Sequence, residues 1–292
     1  MRIAIYSRGL EAEHEQTFQL LIQELQKHQI DVLMYKPLLC RHSFLSNFSN
    51  KITPFQLPED LDKEVDFIIS LGGDGTILDC IVLVQHRGIP ILGINFGRLG
   101  FLASIGNNAL ASAVDALVNG TFMVDKRSLI HLDSNQPVFT KAPFCLNDFS
   151  ILKRDISPMI KISTYLNGEF LNAYWADGLI VATPTGSTGY NMSCNGPILF
   201  PESSSFVITP VAPHNLSVRP VVVADSNVIS FEVEGRTSQF ICAMDSRREI
   251  VDQSIQLAVK KEKFCANLVR LNENSFLSTL RTKLIWGLDK RN

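Results

Sequence analysis

The spacing of apolar residues changes once along this chain, and that change limits the folds it can adopt. In the first third, short apolar runs at residues 3–6, 32–34, 66–71 and 90–94 alternate with amphipathic stretches. In the stretch at 11–28, the apolar residues recur at helical spacing and form one stripe: Phe18, Leu21, Ile22 and Leu25. A second helical pattern runs from about Asn108 to Val118 and ends at Gly120. This alternation predicts a mostly parallel sheet with helices on both faces.

After about residue 122 the pattern consists of strands and turns. Strand-like runs occupy residues 129–132, 149–152 and 160–166, and the last runs into Asn167-Gly168, a strong hairpin signal. Further runs follow at 207–208, 221–223, 228–233, 240–243 and 255–259 without long helical patterns between them. This half is therefore expected to be all-β, as a sandwich. Residues 275–286 have helical spacing and suit a terminal helix that docks on the first domain.

Composition excludes several classes of protein. The net charge of -2 and the pI near 6.3 provide no basic field for nucleic acid. The first residues lack the long apolar centre of a signal peptide, and no apolar stretch is long enough to cross a bilayer. The six cysteines are scattered singly, as expected for reduced, buried thiols. We therefore expect a cytoplasmic protein without a nucleic-acid or membrane partner.

A glycine-rich turn follows the apolar run at 66–71 and precedes the apolar start of a helix. Its residues are Gly72, Gly73, Asp74, Gly75 and Thr76. Glycines at the carboxyl end of a parallel strand let main-chain N–H groups approach a phosphate beside a helix N-terminus. An aspartate there repels phosphate unless it takes a proton from an attacking hydroxyl or reaches Mg²⁺. The alternative is that Asp74 only caps the helix beginning near Thr76.

A second concentration of polar residues lies at 177–190. The run reads Asp-Gly-Leu-Ile-Val-Ala-Thr-Pro-Thr-Gly-Ser-Thr-Gly-Tyr and joins hydroxyls, glycines and an aromatic residue. Hydroxyls and free N–H groups can bind phosphate or ribose, a tyrosine can stack on a base, and Asp177 can accept a hydrogen bond. A polar hairpin end with capping side chains accounts for any one of these residues but poorly for all of them together.

Four stretches together resemble the NAD kinase family: the turn at 72–76, the pair Asn147-Asp148, the run at 177–190, and Pro-Val-Ala-Pro-His at 210–214. Lipid kinases and phosphofructokinases share close versions of the turn, whereas Thr-Pro-Thr-Gly-Ser-Thr-Gly-Tyr is far more specific. The resemblance implies a Rossmann-like α/β domain at 1–122 and a β-sandwich that binds NAD at 123–270. It also implies an active site between them and a segment at 271–292 that packs on the first domain.

The same resemblance implies the reaction. The γ-phosphate of ATP would pass to the 2′-hydroxyl of the adenosine ribose of NAD, with a divalent cation, Mg²⁺, carried by ATP. Asp74 would be the catalytic base, and Gly72, Gly73, Gly75 and Thr76 would lie near the phosphates. Catalysis would then depend on positioning and charge.

On the NAD side, the resemblance implies that Asn147 and Asp148 bond the ribose and that Asp177 meets the nicotinamide end. Phe101 would form part of the wall of the binding pocket, although core packing is the more ordinary role of a phenylalanine. A single histidine in the position of His214 is more often a structural hydrogen-bond donor than a general base. The adenine and ribose side would be formed by these residues: Thr185, Thr188, Gly189, Tyr190, Asn191, Ser193 and Ala212.

Two positions depart from the family pattern. Residues 245–247 read Asp-Ser-Arg where many members have Asp-Gly-Gln, so any contact of the glutamine is in doubt. Trp175 stands where several relatives carry a basic residue, which puts a phosphate or nicotinamide contact in question. Neither change touches the expected base.

Three other functions were weighed against the kinase. A lipid kinase would need a segment that docks on a bilayer, and no basic amphipathic stretch is present. A dehydrogenase would carry G-x-G-x-x-G after the first strand, where residues 7–10 read Ser-Arg-Gly-Leu. A dinucleotide-sensing module without turnover stays open. The resemblance also implies homodimers or homotetramers, in which Asp177 is the candidate for completing the site across a subunit interface.

Overall fold

The computed structural model describes residues 1–42, 44–45, 52–62, 64–97, 100–103, 105–106, 109–154, 158–271 and 275–287. Asn108, the expected start of a helix, lies outside these residues, as do 272–274 and 288–292 of the expected terminal segment. Internal contacts divide the chain into two units. The first unit contains Met1–Lys126 and Ala266–Asn292, and the second contains Arg127–Cys265.

The first unit contains a sheet whose central strands are parallel, as predicted. Its strands are β1 (Arg2–Tyr6), β2 (Asp31–Tyr35), β3 (Ile52–Phe55), β4 (Phe67–Leu71), β5 (Ile91–Asn95), β6 (Ile105–Gly106), β7 (Met123–Arg127) and β20 (Ala266–Arg270). They lie in the order β3-β2-β1-β4-β5-β20-β7, with β6 also beside β5. The pairs from β3 to β20 and the β5–β6 pair are parallel. The carboxyl ends of these strands therefore share one edge, where ligands bind in such sheets.

This unit contains the helices α1 (Glu15–Lys27), α2 (Lys36–Arg41), α3 (Asp74–Val84), α4 (Leu110–Asn119) and α6 (Phe276–Leu284). Apart from α2, which was not predicted, these helices lie where the sequence indicated them. The expected stripe of α1 is buried in a core shared with β1, β4 and β5. Helix α4 ends at Gly120, which adopts the left-handed conformation that glycine tolerates. Helix α6 begins after Ser275, whose hydroxyl accepts a bond from the Ser278 N–H at 3.1 Å.

The second unit is a sandwich of two antiparallel sheets, which confirms the predicted fold class. Its strands are β8 (Ile130–Ser134), β9 (Phe144–Cys145), β10 (Asp148–Lys153), β11 (Ile160–Leu166), β12 (Glu169–Ala176), β13 (Gly178–Ala182), β14 (Ser205–Val211), β15 (Val221–Ala224), β16 (Ile229–Glu234), β17 (Gln239–Met244), β18 (Arg247–Asp252) and β19 (Leu257–Lys261). One sheet has the order β15-β14-β13-β10-β17-β18 and the other β12-β11-β16-β19-β8-β9. Buried residues of both sheets form one core. A short helix, α5 (Tyr190–Ser193), follows β13.

Several features differ from the expectations. Strands β7 and β20 belong to the first sheet, so residues 123–126 and 266–270 group with the first unit and not with the sandwich. Strand β20 is placed there by a long-range pairing with β5, which local periodicity does not report.

The predicted Asn-Gly hairpin does join β11 and β12, with positive φ at both turn residues. Among the cysteines, Cys40 is exposed, so the thiols are not all buried as expected. No helix among the described residues is long and apolar enough to cross a membrane.

Candidate active site

The glycine-rich turn lies at the carboxyl end of β4, whose five residues are all buried. The Gly72 N–H donates to the Ile94 carbonyl of β5 at 2.9 Å, so the turn starts as an extension of the sheet. Gly72 has φ 147°, and a Cβ there would overlap the Thr76 hydroxyl. Only glycine fits this position without displacing Thr76.

Asp74 is the first residue of α3, and Gly73 is the N-cap without a side-chain cap bond. The Asp74 carboxylate points instead to a neighbouring loop. Oδ2 accepts the Phe101 N–H at 2.9 Å, and Oδ1 accepts the Leu102 and Ala103 N–H groups at 3.0 Å each. The alternative that Asp74 serves as a helix cap is therefore wrong. Its charge lies in the first turn of α3, where the helix dipole favours an anion.

The other residues of the turn divide into exposed and buried positions. Gly73 is exposed, and a Cβ there would meet no atom within 4 Å. Gly72 and Gly75 are partly exposed, whereas the Thr76 side chain is buried against Gly72. The open backbone at Gly73 and Gly75 suits close approach by a phosphate, and Thr76 supports the turn from inside. Phe101 is half-buried and contributes its backbone N–H to Asp74.

Sequence reasoning missed Arg8, which lies beside the same turn. Its guanidinium donates to both Asp79 oxygens, at 2.5 and 2.7 Å, and to the Gly75 carbonyl at 3.2 Å. The Tyr6 hydroxyl donates to the same carboxylate at 3.0 Å, and burial together with Asp79 raises the Tyr6 pKa. Arg41 donates to the Arg8 carbonyl at 2.8 Å. Arg8 follows β1, and residues that follow parallel strands lie at the carboxyl edge of the sheet. This position in the sequence could have identified Arg8 as a neighbour of the glycine-rich turn.

In the second unit, Asp148 is the first residue of β10 and Asn147 directly precedes it, and the β17–β18 turn supports both. The Asp245 carboxylate in that turn accepts the backbone N–H groups of Leu146, Asn147 and Asp148 at 3.0, 2.7 and 3.4 Å. Asp148 is 7% exposed. Its burial, and then the charge of Asp245, raise the Asp148 pKa to about 7. Burial also raises the Asp245 pKa, and its three N–H bonds oppose that effect.

The structure explains the departure at residues 245–247. The Arg247 guanidinium donates to the carbonyls of Ala142 and Phe144 and lies 5.7 Å from the centre of the Phe139 ring. It also lies close enough to Asp245 to favour that carboxylate. Arg247 therefore holds the segment before β10 from within the sandwich, instead of offering the polar contact expected of a glutamine.

Asp177 lies between β12 and β13 and forms an ion pair with Lys153 at 2.7 Å. The Lys153 N–H also donates to the Asp177 carbonyl at 2.9 Å. Lys153 was missed in the sequence because its place beside Asp177 follows from the β10–β13 register. Trp175 is 54% exposed, and its carbonyl accepts the His214 N–H at 2.8 Å, so the structure supports a structural role for that backbone.

The hydroxyl residues at 183–188 mainly hold the loop itself. The Thr183 hydroxyl donates to the Leu146 carbonyl at 2.5 Å, Ser187 to Pro184 at 2.6 Å, and Thr188 to Thr185 at 3.2 Å. The loop packs directly on the Asn147 backbone, because a Cβ on Gly186 would overlap it. The motif thus shapes the surface beside Asn147 and Asp148.

The expected adenine and ribose residues differ in accessibility. Tyr190, Ser193 and Ala212 are exposed, and Ala212 has an unusual positive φ of 44°. Thr188 and Gly189 are partly exposed, while Thr185 is buried and accepts a bond from Arg127 at 3.5 Å. Asp148 and Asp177 both lie near enough to Tyr190 to raise its pKa, after the larger effect of its own burial. The structure therefore brings these three side chains together.

Asn191 does not fit the expected role of contacting a ligand through its side chain. It is 0% exposed, its amide donates to the Ser187 and Pro197 carbonyls at 3.0 Å, and its oxygen accepts from Thr209 at 2.6 Å. A buried side chain with these partners supports the loop. A Cβ on Gly196 would overlap the same amide, so the packing around Asn191 is tight.

Comparisons with known proteins agree on one family. Residues 3–122 match the family model described as the ATP-NAD kinase N-terminal domain, and residues 146–271 match the ATP-NAD kinase C-terminal domain. Over the full length of both chains, the sequence is 45% identical to a protein of Cytophaga hutchinsonii and 38% identical to one of Bacteroides fragilis, both named NAD kinase.

Two solved structures share the fold. Yeast NADH kinase, crystallised with NADH, has a TM-score of 0.89 at 21% identity, covering 100% of this chain and 89% of that one. An NAD kinase from Archaeoglobus fulgidus, in complex with ATP, has a TM-score of 0.74 at 25% identity, covering 98% and 99%. With two family models matching most of its length, the chain belongs to the NAD kinase family.

Proposed function

We propose that this protein transfers the γ-phosphate of ATP to the 2′-hydroxyl of the adenosine ribose of NAD, giving NADP and ADP. One observation carries the proposal. The Asp74 carboxylate stands in an open glycine turn at the start of α3, and its only hydrogen bonds among the described residues come from backbone N–H groups. Family membership supports the same reaction.

In this reaction Asp74 acts as the general base. It takes the proton of the ribose 2′-hydroxyl while that oxygen bonds to the γ-phosphorus, and the bond from the γ-phosphorus to the β-γ bridging oxygen breaks. ADP leaves with the electron pair of that bond. The exposed backbone at Gly73 and the partly exposed Gly75 support a phosphate position, and the N-terminus of α3 favours the negative charge.

We assign NAD recognition to the second unit. Asn147 and Asp148 are proposed to bond the ribose, and Asp177, held by Lys153, is proposed to meet the nicotinamide end. Tyr190, which lies near both aspartates, is exposed and can stack on a base. The remaining lining would come from accessible residues of the same loop and its neighbour: Thr188, Gly189, Ser193 and Ala212.

The divalent cation is proposed to arrive bound to ATP. The carboxylates at the glycine turn do not form a dedicated magnesium site, because Asp74 accepts three N–H bonds and Asp79 is paired with Arg8. Glu11, Glu13 and His14 offer ligand atoms within 4.8 Å of one another, but magnesium prefers oxygen ligands and water to a histidine. Phosphate oxygens and water would therefore supply most of its ligands.

We also propose that the chain forms homodimers or homotetramers. The edge strand β12 presents Phe170 and Trp175 with 58% and 54% of their surfaces exposed, which supports an interface on this strand. Light scattering after size exclusion measures the mass directly. A single-chain mass of 32.6 kDa across the tested concentrations would contradict this proposal.

The deciding experiment mixes the purified protein with NAD, ATP and Mg²⁺ and measures NADP. Asp74→Asn is expected to lower kcat by about 10³-fold while the Kd for NAD, measured by calorimetry, stays unchanged. Asp115→Asn, the same chemical change on a half-exposed residue of α4, serves as the control. Near-normal turnover of Asp74→Asn would refute the role of the base. No NADP with any phosphoryl donor would favour a dinucleotide-sensing module.

A further inference from the structure

The backbone of residues 100–103, here called the clamp segment, holds both oxygens of Asp74. One N–H reaches Oδ2 and two reach Oδ1, from three consecutive residues. A carboxylate offers about four acceptor positions, two on each oxygen. Among the described residues, Oδ1 takes two bonds and Oδ2 takes one, so the remaining acceptor position lies on Oδ2.

We propose that the clamp segment is the positioning element of the catalytic base, and that Oδ2 is the oxygen that receives the ribose proton. This inference rests on the proposed role of Asp74. The three bonds fix the rotation of the carboxylate, so that one acceptor position faces the substrate. Backbone donors are suited to this task because they have no proton to lose at neutral pH.

The clamp segment is itself held in place. The Gly100 N–H donates to the Ala103 carbonyl at 3.0 Å and closes the segment into a turn. Ala103 is fully buried, and its Cα lies so close to Gly93 of β5 that a Cβ on Gly93 would crowd it. The segment therefore rests on the central strand beside β4, and its N–H groups keep a fixed direction relative to the glycine turn.

Gly100 is the residue at which the positioning of Asp74 by the clamp segment can be tested. A Cβ on Gly100 would lie closer than van der Waals contact to the carboxyl carbon and both oxygens of Asp74. The side chain of Asp74 can yield only by rotating away from its N–H donors. A methyl group at position 100 thus acts on the orientation of the base while leaving its identity unchanged.

The experiment compares Gly100→Ala with Gly106→Ala. Gly106 ends β6, and a Cβ there would meet no atom of the described residues within 4 Å, so this variant is the matched control. Gly100→Ala is expected to lower kcat by about 100-fold, with the KM values for NAD and ATP changed by less than about threefold. Gly106→Ala should keep the wild-type kcat. A Gly100→Ala enzyme with wild-type kcat would overturn the inference.

A double-mutant cycle separates positioning from a general structural effect. If Gly100→Ala acts through the Asp74 carboxylate, adding it to Asp74→Asn should not lower the residual rate further. An equal loss in both backgrounds would assign Gly100 a structural role and refute the clamp. Should Asp74→Asn itself retain turnover, the proposed base fails. If Asp74→Asn is inactive and Gly100→Ala is fully active, the role of the clamp segment is refuted and the proposed base stands.

A second pair of variants covers the case in which Gly100→Ala does not fold. Phe101→Ala removes the ring and keeps the N–H that reaches Oδ2, whereas Phe101→Pro removes both. The proline variant is expected to have a kcat about tenfold below that of the alanine variant, with similar melting temperatures. Equal kcat values for the two variants would contradict the clamp.

Discussion

Asp148 is expected to destabilise the protein at neutral pH, and replacing it with asparagine should stabilise the fold. The side chain is buried, and burial followed by the charge of Asp245 raises its pKa from 3.8 to about 7. Below about pH 4 the carboxyl is protonated in both the folded and unfolded chain. Between pH 4 and 7 the unfolded chain has released the proton and the folded chain retains it, so stability falls as the pH rises.

The size of the effect follows from the pKa difference. At about 1.4 kcal/mol for each pH unit, the rise from 3.8 to about 7 corresponds to a loss of about 4 kcal/mol by pH 8. Asparagine has the same shape and carries no charge, so Asp148→Asn should avoid this loss. Its advantage over the wild type should grow between pH 4 and 7 and stay constant above. At a few degrees for each kcal/mol, the gain in Tm at pH 8 is about 10 °C.

The assay is thermal unfolding of the wild type and Asp148→Asn without nucleotide, at pH 4.5, 6 and 8. Asp245→Asn is the contrasting variant, because the Asp245 carboxylate accepts three backbone N–H bonds that asparagine cannot all retain. It should gain less stability at pH 8 than Asp148→Asn does, because the lost N–H bonds cost about 1–3 kcal/mol. A difference between the wild type and Asp148→Asn that does not change with pH would refute the reasoning.

Three further changes test other contacts. Asn191→Ala should lower the midpoint of urea unfolding, with a loss of about 2–4 kcal/mol, because Thr209 and two carbonyls lose a buried partner. Arg247→Gln should cost about 2 kcal/mol in the same assay, because the contacts with Phe139 and two carbonyls are lost. Arg8→Ala should raise the KM for ATP about tenfold in steady-state assays and leave the KM for NAD unchanged.

Local periodicity predicted most of the fold. The stripe of α1, the buried run of β4 and the Asn-Gly hairpin each follow from residues within one element. The missed strands lie where that pattern is weak. Strand β3 contains Pro54 and lies at a sheet edge, and the edge strand β18 is rich in charged residues. Strand β20 is ordinary in sequence, but its place in the sheet is fixed by the pairing of Leu268 with Ile91, which lies 177 positions earlier.

The sequence indicates which residues form the candidate site, but not which hydrogen bonds and ion pairs hold their side chains. Asp74 and Asp177 were singled out because carboxylates in glycine-rich or hydroxyl-rich runs need a chemical reason, whereas Asp148 was named from the family resemblance. The partners of Asp74 are main-chain N–H groups, and the partner of Asp177 is Lys153, which the strand register brings close. Every residue except proline has an N–H group, so the sequence does not mark which ones serve as donors. Asn191 was named from its place in the motif, but its side chain is 0% exposed and does not face a ligand.

The contacts also separate the proposed base from the other carboxylate of α3. Asp74 and Asp79 lie on the same helix near the same turn, and each receives three hydrogen bonds. Asp79 receives two of them from the positively charged guanidinium of Arg8, with which it forms an ion pair. Among the described residues, Asp74 is held by neutral backbone N–H donors and forms no ion pair, which supports the proposal that it is the base. The same chemical group is therefore suited to catalysis at one position and to structure at the other.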